Sequence, residues 1–204
     1  MIFFPSVIRL TLATILISIV IPTLSQAQEL EFNKQFEQFL QEYRRGNFLD
    51  YKIITTDEIE VLDTMLHTIS GLSSYNPNSV STLINAYNFL VVREIASAYP
   101  IKSVQEVPQF FTKDIALGDS KISLDNFEKK IVELVGNPLA HLLLNCGARG
   151  CPSIQYIDPE VSLENYYRPA LKEEQVMSNS GDELQLSQIF FWYAEEFGLS
   201  LIHI

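Results

Sequence analysis

The sequence predicts an α+β fold, a mainly helical single domain around a small sheet whose buried central strand runs over about 139–146. Three observations predict it. Apolar residues recur at helical spacing in several long segments, beginning with Phe32, Phe36, Phe39, Leu40 and Tyr43. Short strand-like segments stand among these helices without regular strand–helix alternation. No glycine-rich phosphate loop follows a strand, which argues against a doubly wound dinucleotide fold and leaves no cofactor motif. A chain of 204 residues is one domain's worth.

In chain order, the first element is expected to be removed. Leu10 to Pro22 is almost wholly apolar, Arg9 is the only charge before it, and Ser25-Gln26-Ala27 offers the small residues a signal peptidase reads. Residues 1–27 therefore read as a signal peptide cut after Ala27, and the protein as exported, periplasmic or secreted. The formal net charge of −11 gives no electrostatic footprint for nucleic acid or an anionic bilayer. The expected partner is a small molecule or a peptide, with no membrane contact once the signal is gone.

The stripe Phe32–Tyr43 belongs to an amphipathic helix over Glu29–Arg45, stopped by Gly46-Asn47. Residues 28–49 form this N-terminal element, and 50–204 the main domain. Thr55 and Glu58 fit a capping box for a second helix with Ile59, Leu62, Leu66 and Ile69 inward and Gly71 as its stop. His67 beside that face reads as an ordinary half-exposed helix histidine. Tyr75-Asn-Pro-Asn78 is a turn. Ser79 caps a long apolar helix to about Ala98, which should be central. It carries Asn85, Tyr87 and Asn88. Two asparagines at i and i+3 near an apolar stripe need partners: they either tie down a neighbouring loop or line a pocket and orient substrate.

Asp114–Leu117 and Lys121–Ser123 read as a hairpin around Gly118-Asp119. Ser123 caps a helix over 124–135, ended by Gly136-Asn-Pro138. The near-continuous apolar run Leu139–Cys146 reads as the buried strand. After a loop to Pro159, Ser162–Met177 is helical in pattern, with Pro169 expected to kink it or delay its start. Ser178–Asp182 is a turn, Glu183–Leu186 a strand, and Ser187 caps a last, strongly aromatic helix over 188–197 that stops at Gly198.

Three segments, in this order and spacing, resemble the domain-of-unknown-function 547 family: Ile84-Asn85-Ala-Tyr87-Asn88, the run His141–Pro152, and Leu186–Gly198 with Trp192-Tyr193 at its centre. The resemblance covers roughly Asp50 to Gly198. It implies a fold and a set of positions, not a reaction. The chain departs from the family pattern at Gly150, where members often carry Ser, and at Pro152-Ser153, where Pro-Pro is common. Members commonly continue past the Trp-Tyr helix, so truncation of a C-terminal element is an expectation here.

The chemistry concentrates in His141–Pro152, which holds both cysteines and one of three histidines. In a strand, His141 and Asn145 share one face and Cys146 the other, with His141 and Cys146 about 16 Å apart at roughly 3.3 Å per residue. His141 then reaches Cys151 only if the Gly147–Gly150 loop folds back, and His203 is the other candidate base. One reading is a thiol-dependent enzyme, a hydrolase or transferase or a thiol–disulfide exchanger. Cys146 or Cys151 would be the nucleophile, Arg149 would stabilise a thiolate, His141 would serve as base, the loop's backbone N–H groups would hold an oxyanion, and Asn85, Tyr87, Asn88 and Asn145 would bind substrate. The alternative is a non-catalytic binding or interaction domain with a structural Cys146–Cys151 disulfide. A metal site from His141, Cys146 and Cys151 is disfavoured, since zinc takes about four ligands.

Overall fold

The computed structural model describes residues 24–54, 56–69, 80–117 and 120–199. The expected signal segment up to residue 23, the expected Thr55 and Ser79 caps, Gly71, the expected turns at Tyr75–Asn78 and Gly118-Asp119, and His203 lie outside the described residues. Helix α1 spans Leu24–Tyr43 and leads into a short antiparallel pair, β1 (Arg44–Arg45) and β2 (Phe48–Leu49). Helices α2 (Thr56–Ile69) and α3 (Val80–Ala98) follow. Hairpin β3 (Ile115–Leu117) and β4 (Ser120–Ile122) precedes α4 (Leu124–Val135). A 3₁₀ segment, Pro138–Leu143, opens a long irregular stretch to α5 (Glu164–Leu171). Hairpin β5 (Met177–Ser180) and β6 (Glu183–Leu186) and the short α6 (Ile189–Trp192) end the described chain. The class is α+β and mainly helical. None of these helices is long and apolar enough to cross a membrane.

The core forms around α3. Its side chains are buried without a break from Thr82 to Val92, and a helix apolar on every side has to be covered on every side. Helix α1 covers one face, where Phe32 and Phe36 set their rings edge-on to Phe89 at centroid distances of 5.6 and 6.2 Å. Helix α2 adds Leu62, Met65 and Ile69, and α4 adds Phe127 and Ile131. Helix α1 extends through the expected cleavage point at Ala27, but its buried residues begin at Phe32. At the rim of this core, Arg93 donates to Asp63 on α2 and to the buried Glu94, which also pairs with Lys113.

Local signals act as expected at α4. The Ser123 hydroxyl accepts from the Asn126 N–H, and Gly136 closes the helix at φ 65°. The expected central strand does not form. The described strands make three separate two-stranded hairpins, and 138–143 winds as a 3₁₀ helix. Pro138 presets helical φ at the first position, and the Asn137 side chain accepts from the Leu139 N–H. The run is apolar because helices surround it: Leu143 and Leu144 join the main core, while Leu142 joins Ala170, Val176 and Ile189 in a second, smaller one.

Four further elements differ. The N-terminal helix ends at Tyr43, and Arg44–Arg45, expected within it, form β1. Pro169 sits inside α5, but that helix has only eight residues and stops at Leu171, and the chain to Met177 continues in turns. The last helix covers only Ile189–Trp192, followed by successive turns to Gly198. Residues Ser178–Ser180, expected as turn, belong to β5, and the turn itself is Gly181-Asp182.

The irregular stretch after Leu143 is buried yet has no ladder, so side chains must serve its backbone. Asn85 and Asn88 do so from α3. The Asn88 amide donates to the Leu143 carbonyl and its oxygen accepts from the Asn145 N–H, both at 2.8 Å. Asn85 makes the same two-way pair with Ile157 at 2.8 and 2.9 Å, and also donates to Asn33 on α1. Replacing Asn88 by Ala strands a buried carbonyl and a buried N–H, so Asn88→Ala should lower unfolding free energy by about 2–4 kcal/mol in urea titration.

Candidate functional site

The 3₁₀ segment and the loop after it expose chemistry on two sides. On the first side lies the loop. Cys146 and Cys151 form a disulfide with Cα atoms 6.0 Å apart, leaving no free cysteine. Asn145 shapes the loop from inside. Its amide donates to the Pro152 carbonyl at 2.7 Å, and its oxygen accepts from the Gly147 N–H at 2.8 Å. The Cys151 N–H turns back to the Ala148 carbonyl. Outside the loop, the Ser187 hydroxyl donates to the Gly150 carbonyl, and Glu173 accepts from both the N–H and the hydroxyl of Ser153. Arg149 is exposed beside a small cavity of about 100 Å³ that Phe48, Tyr51, Asn145 and Ile154 also line.

On the second side lies a larger cleft of about 560 Å³ between α4 and the turns after Trp192. His141 lies at its inner end, 3 % exposed. Its Nδ1 is 2.8 Å from Glu128 Oε1 and its Nε2 is 3.0 Å from Glu196 Oε2. The imidazole stacks on the Tyr193 ring at a centroid distance of 3.6 Å and 14° between planes. Tyr87 donates its hydroxyl to the other oxygen of Glu128 at 3.3 Å, and Tyr193 also hydrogen-bonds Glu128. Asp125, Lys129 and Glu133 complete the polar lining from α4.

The electrostatics follow from this packing. Burial by itself pulls the His141 pKa down, but hydrogen bonds and charge from Glu128 and Glu196 outweigh it, and the net shift is upward from 6.5. Both ring nitrogens face carboxylate oxygens, which only accept. The arrangement is satisfied when the ring carries both protons, as an imidazolium. Burial, with the Glu128 charge next, raises the hydroxyls of Tyr87 and Tyr193 and keeps them neutral donors. Asp125 is raised by burial and by Glu128.

The structure therefore divides the expected site. Cys146, Cys151, Asn145 and Arg149 belong to the loop side, while His141 lines the cleft together with α4. The alternation of faces expected from a strand does not apply to a 3₁₀ segment. In the disulfide neither sulfur is a thiolate, and Cys151 is only 3 % exposed. One of the loop N–H groups assigned to an oxyanion, that of Gly147, is used within the loop by Asn145. Asn85 and Asn88 are fully buried, and their amides are used by the main chain of the segment they tie down, with Asn33 as a further partner of Asn85. Tyr87 is buried too, and acts on Glu128 instead.

Glu128, Tyr193 and Glu196 are the residues that sequence reasoning missed. Glu128 looks like any glutamate on a solvated helix face. Tyr193 and Glu196 stand in the aromatic segment singled out by resemblance, at i and i+3, and that was the only signal available. Among the described residues no group of three or more His, Cys, Asp or Glu side chains is placed to hold a metal ion.

Fold and site define a helical α+β domain with a disulfide-closed loop on one side and a histidine–carboxylate cleft on the other. Residues 72–168 match the model of the family described as "Protein of unknown function, DUF547", the family whose motifs the sequence resembles. The matched segment holds Asn85, Asn88, Glu128, His141 and the disulfide loop, while Tyr193 and Glu196 lie beyond it. No curated protein and no solved structure matches the chain.

Gly147 shows how tightly the loop is seated. It adopts φ +78°, and a Cβ there would come within 2.8 Å of side-chain carbons of Ile95 and Val104. Gly147→Ala should therefore cost about 1–3 kcal/mol by thermal or urea unfolding, whereas Gly150→Ala, with open space around the Cβ position, should stay within about 0.5 kcal/mol of wild type.

Proposed function

We propose that the chain is an exported binding domain, that its Cys146–Cys151 disulfide is structural, and that a small molecule or peptide seats in the cleft against His141. The observation that carries this reading is the cleft itself. Its volume of about 560 Å³ falls in the usual range for ligand sites, roughly 300–1,000 Å³, and it brings together a buried imidazole, carboxylates and an aromatic ring. Export is supported by the apolar run Leu10–Pro22 before Ser25-Gln26-Ala27 and by the disulfide, which persists in oxidising compartments. The thiol-dependent enzyme expected from the cysteine pair has less to stand on, because one disulfide holds both sulfurs and Cys151 is buried.

Two experiments test the reading. Thiol titration of the exported protein should find no reactive thiol in native buffer or in denaturant. Reduction should cost about 2 kcal/mol of stability, the chain-entropy value for so short a loop. A thiol that alkylates rapidly near neutral pH would return the thiol reading to the front. In a screen of small molecules and peptides by protein NMR, binders should shift the His141 and Tyr193 ring signals. Binders that shift only Gly147–Gly150 would move the site to the loop and overturn the cleft assignment.

A further inference from the structure

We propose that the turn Tyr193–Leu199 is a pH-sensitive strap across the cleft, latched when Glu196 accepts from a protonated His141 and released when that ring loses a proton. The proposal concerns the regulation of the cleft and rests on the binding reading only for its consequence, ligand access.

The geometry sets the direction. A neutral imidazole has one N–H for two acceptor-only partners, so one contact must become lone pair against lone pair. Glu128 is the stronger holder. It is 14 % exposed, sits mid-helix in α4, and accepts from Tyr87 as well. Glu196 is 48 % exposed and stands in a run of turns whose backbone bonds close within the segment: Phe197 to Tyr193, Gly198 to Glu195, Leu199 to Ala194. The remaining proton therefore stays on Nδ1 toward Glu128, and Glu196 departs. Nε2 is then an uncovered acceptor facing the cleft. Buried Ile189 and Ala194 keep the start of the segment packed, and Phe197 packs on Phe190 with ring centroids 5.0 Å apart, so the motion is local, centred on the turn at Glu195-Glu196.

The other titratable groups around the ring come from three directions. Helix α4 supplies Asp125, Lys129 and Glu133 with Glu128, the strap supplies Tyr193 with Glu196, and α3 supplies Tyr87 beneath Glu128. Helix α5 also packs against 138–143 but places none of its residues in the cleft lining. The carboxylates outnumber Lys129, so the surroundings favour the protonated ring. The upward shift of His141 agrees in sign. A group whose pKa is raised on folding contributes stability in full below its unfolded value and loses it as pH rises through the folded value. The strap is thus closed at pH 6.5 and opens as pH rises above it.

Trp192, the only tryptophan of the chain, adjoins the strap and reports on it. Its emission is followed through a pH titration of the ligand-free full chain, in parallel with the His141 ring signals by NMR, which His141→Gln assigns. The expected result is one transition in Trp192 emission, above pH 6.5, at the pH where His141 titrates. Glu196→Gln should abolish that emission change and lower the His141 midpoint, with the far-ultraviolet circular dichroism unchanged. Three results would overturn the strap: emission flat through the His141 titration, an emission change that persists unaltered in Glu196→Gln, or a His141 midpoint below 6.5. Because no ligand is present, failure here leaves the cleft's binding role standing, and an empty ligand screen leaves the strap standing.

Discussion

The irregular segment that carries the disulfide loop depends on two asparagines of one buried helix. Asn85 and Asn88 grip the irregular segment at Ile157 and at Leu143–Asn145, the two ends of the stretch that contains the disulfide loop. A buried backbone without a sheet ladder is costly unless each polar group finds a partner, about 1–3 kcal/mol for each one left out. Amide side chains suit this task because each donates and accepts at once. Their i, i+3 spacing puts both on one side of α3. The same helix supplies Tyr87 to Glu128, so the core element that anchors the loop also steadies the cleft.

The segment is thereby given two sides with different duties. Toward the loop, Asn145, Ser187 and Glu173 hold main-chain groups, and the disulfide closes what they shape. Toward the cleft, His141 is held by charge and stacking rather than by main-chain bonds. The first side is held mainly by side chain to main chain bonds. The second keeps one half-exposed partner, Glu196, whose bond exists only while the ring is protonated. A side chain with a removable partner at the edge of a cavity has the freedom that ligand exchange requires.

How much was legible in the sequence varies with how local the cause is. Ser123 and Gly136 mark the ends of α4 because caps act within a few residues. The stripe of α1 and the all-round apolar character of α3 point to burial, and both are buried. The apolar run 139–146 misleads, because a continuous apolar run is equally compatible with a buried strand and with any other segment enclosed by helices. The local clues that decide it, Asn137 and Pro138, act at its start, where the same residues also follow the stop of the preceding helix. The pairing of His141 with Glu128 and Glu196 joins residues 13 and 55 positions away, and nothing local distinguishes those glutamates from solvated ones.

The sequence by itself determined the helical periodicity, the Ser123 and Gly136 caps of α4, the β3–β4 hairpin and the short separation that lets the two cysteines meet, since each follows from interactions between near neighbours. It also pointed, through three segments in register, to the family. Tertiary structure alone decided that the apolar run winds as a 3₁₀ helix, that Asn85 and Asn88 serve backbone instead of ligand, and that His141 belongs to a cleft with Glu128, Tyr193 and Glu196. The reason is physical. Hydrogen-bond partners of buried polar groups, and the charges that set the protonation of a buried ring, are fixed by where the chain returns in space, and periodicity carries no record of that.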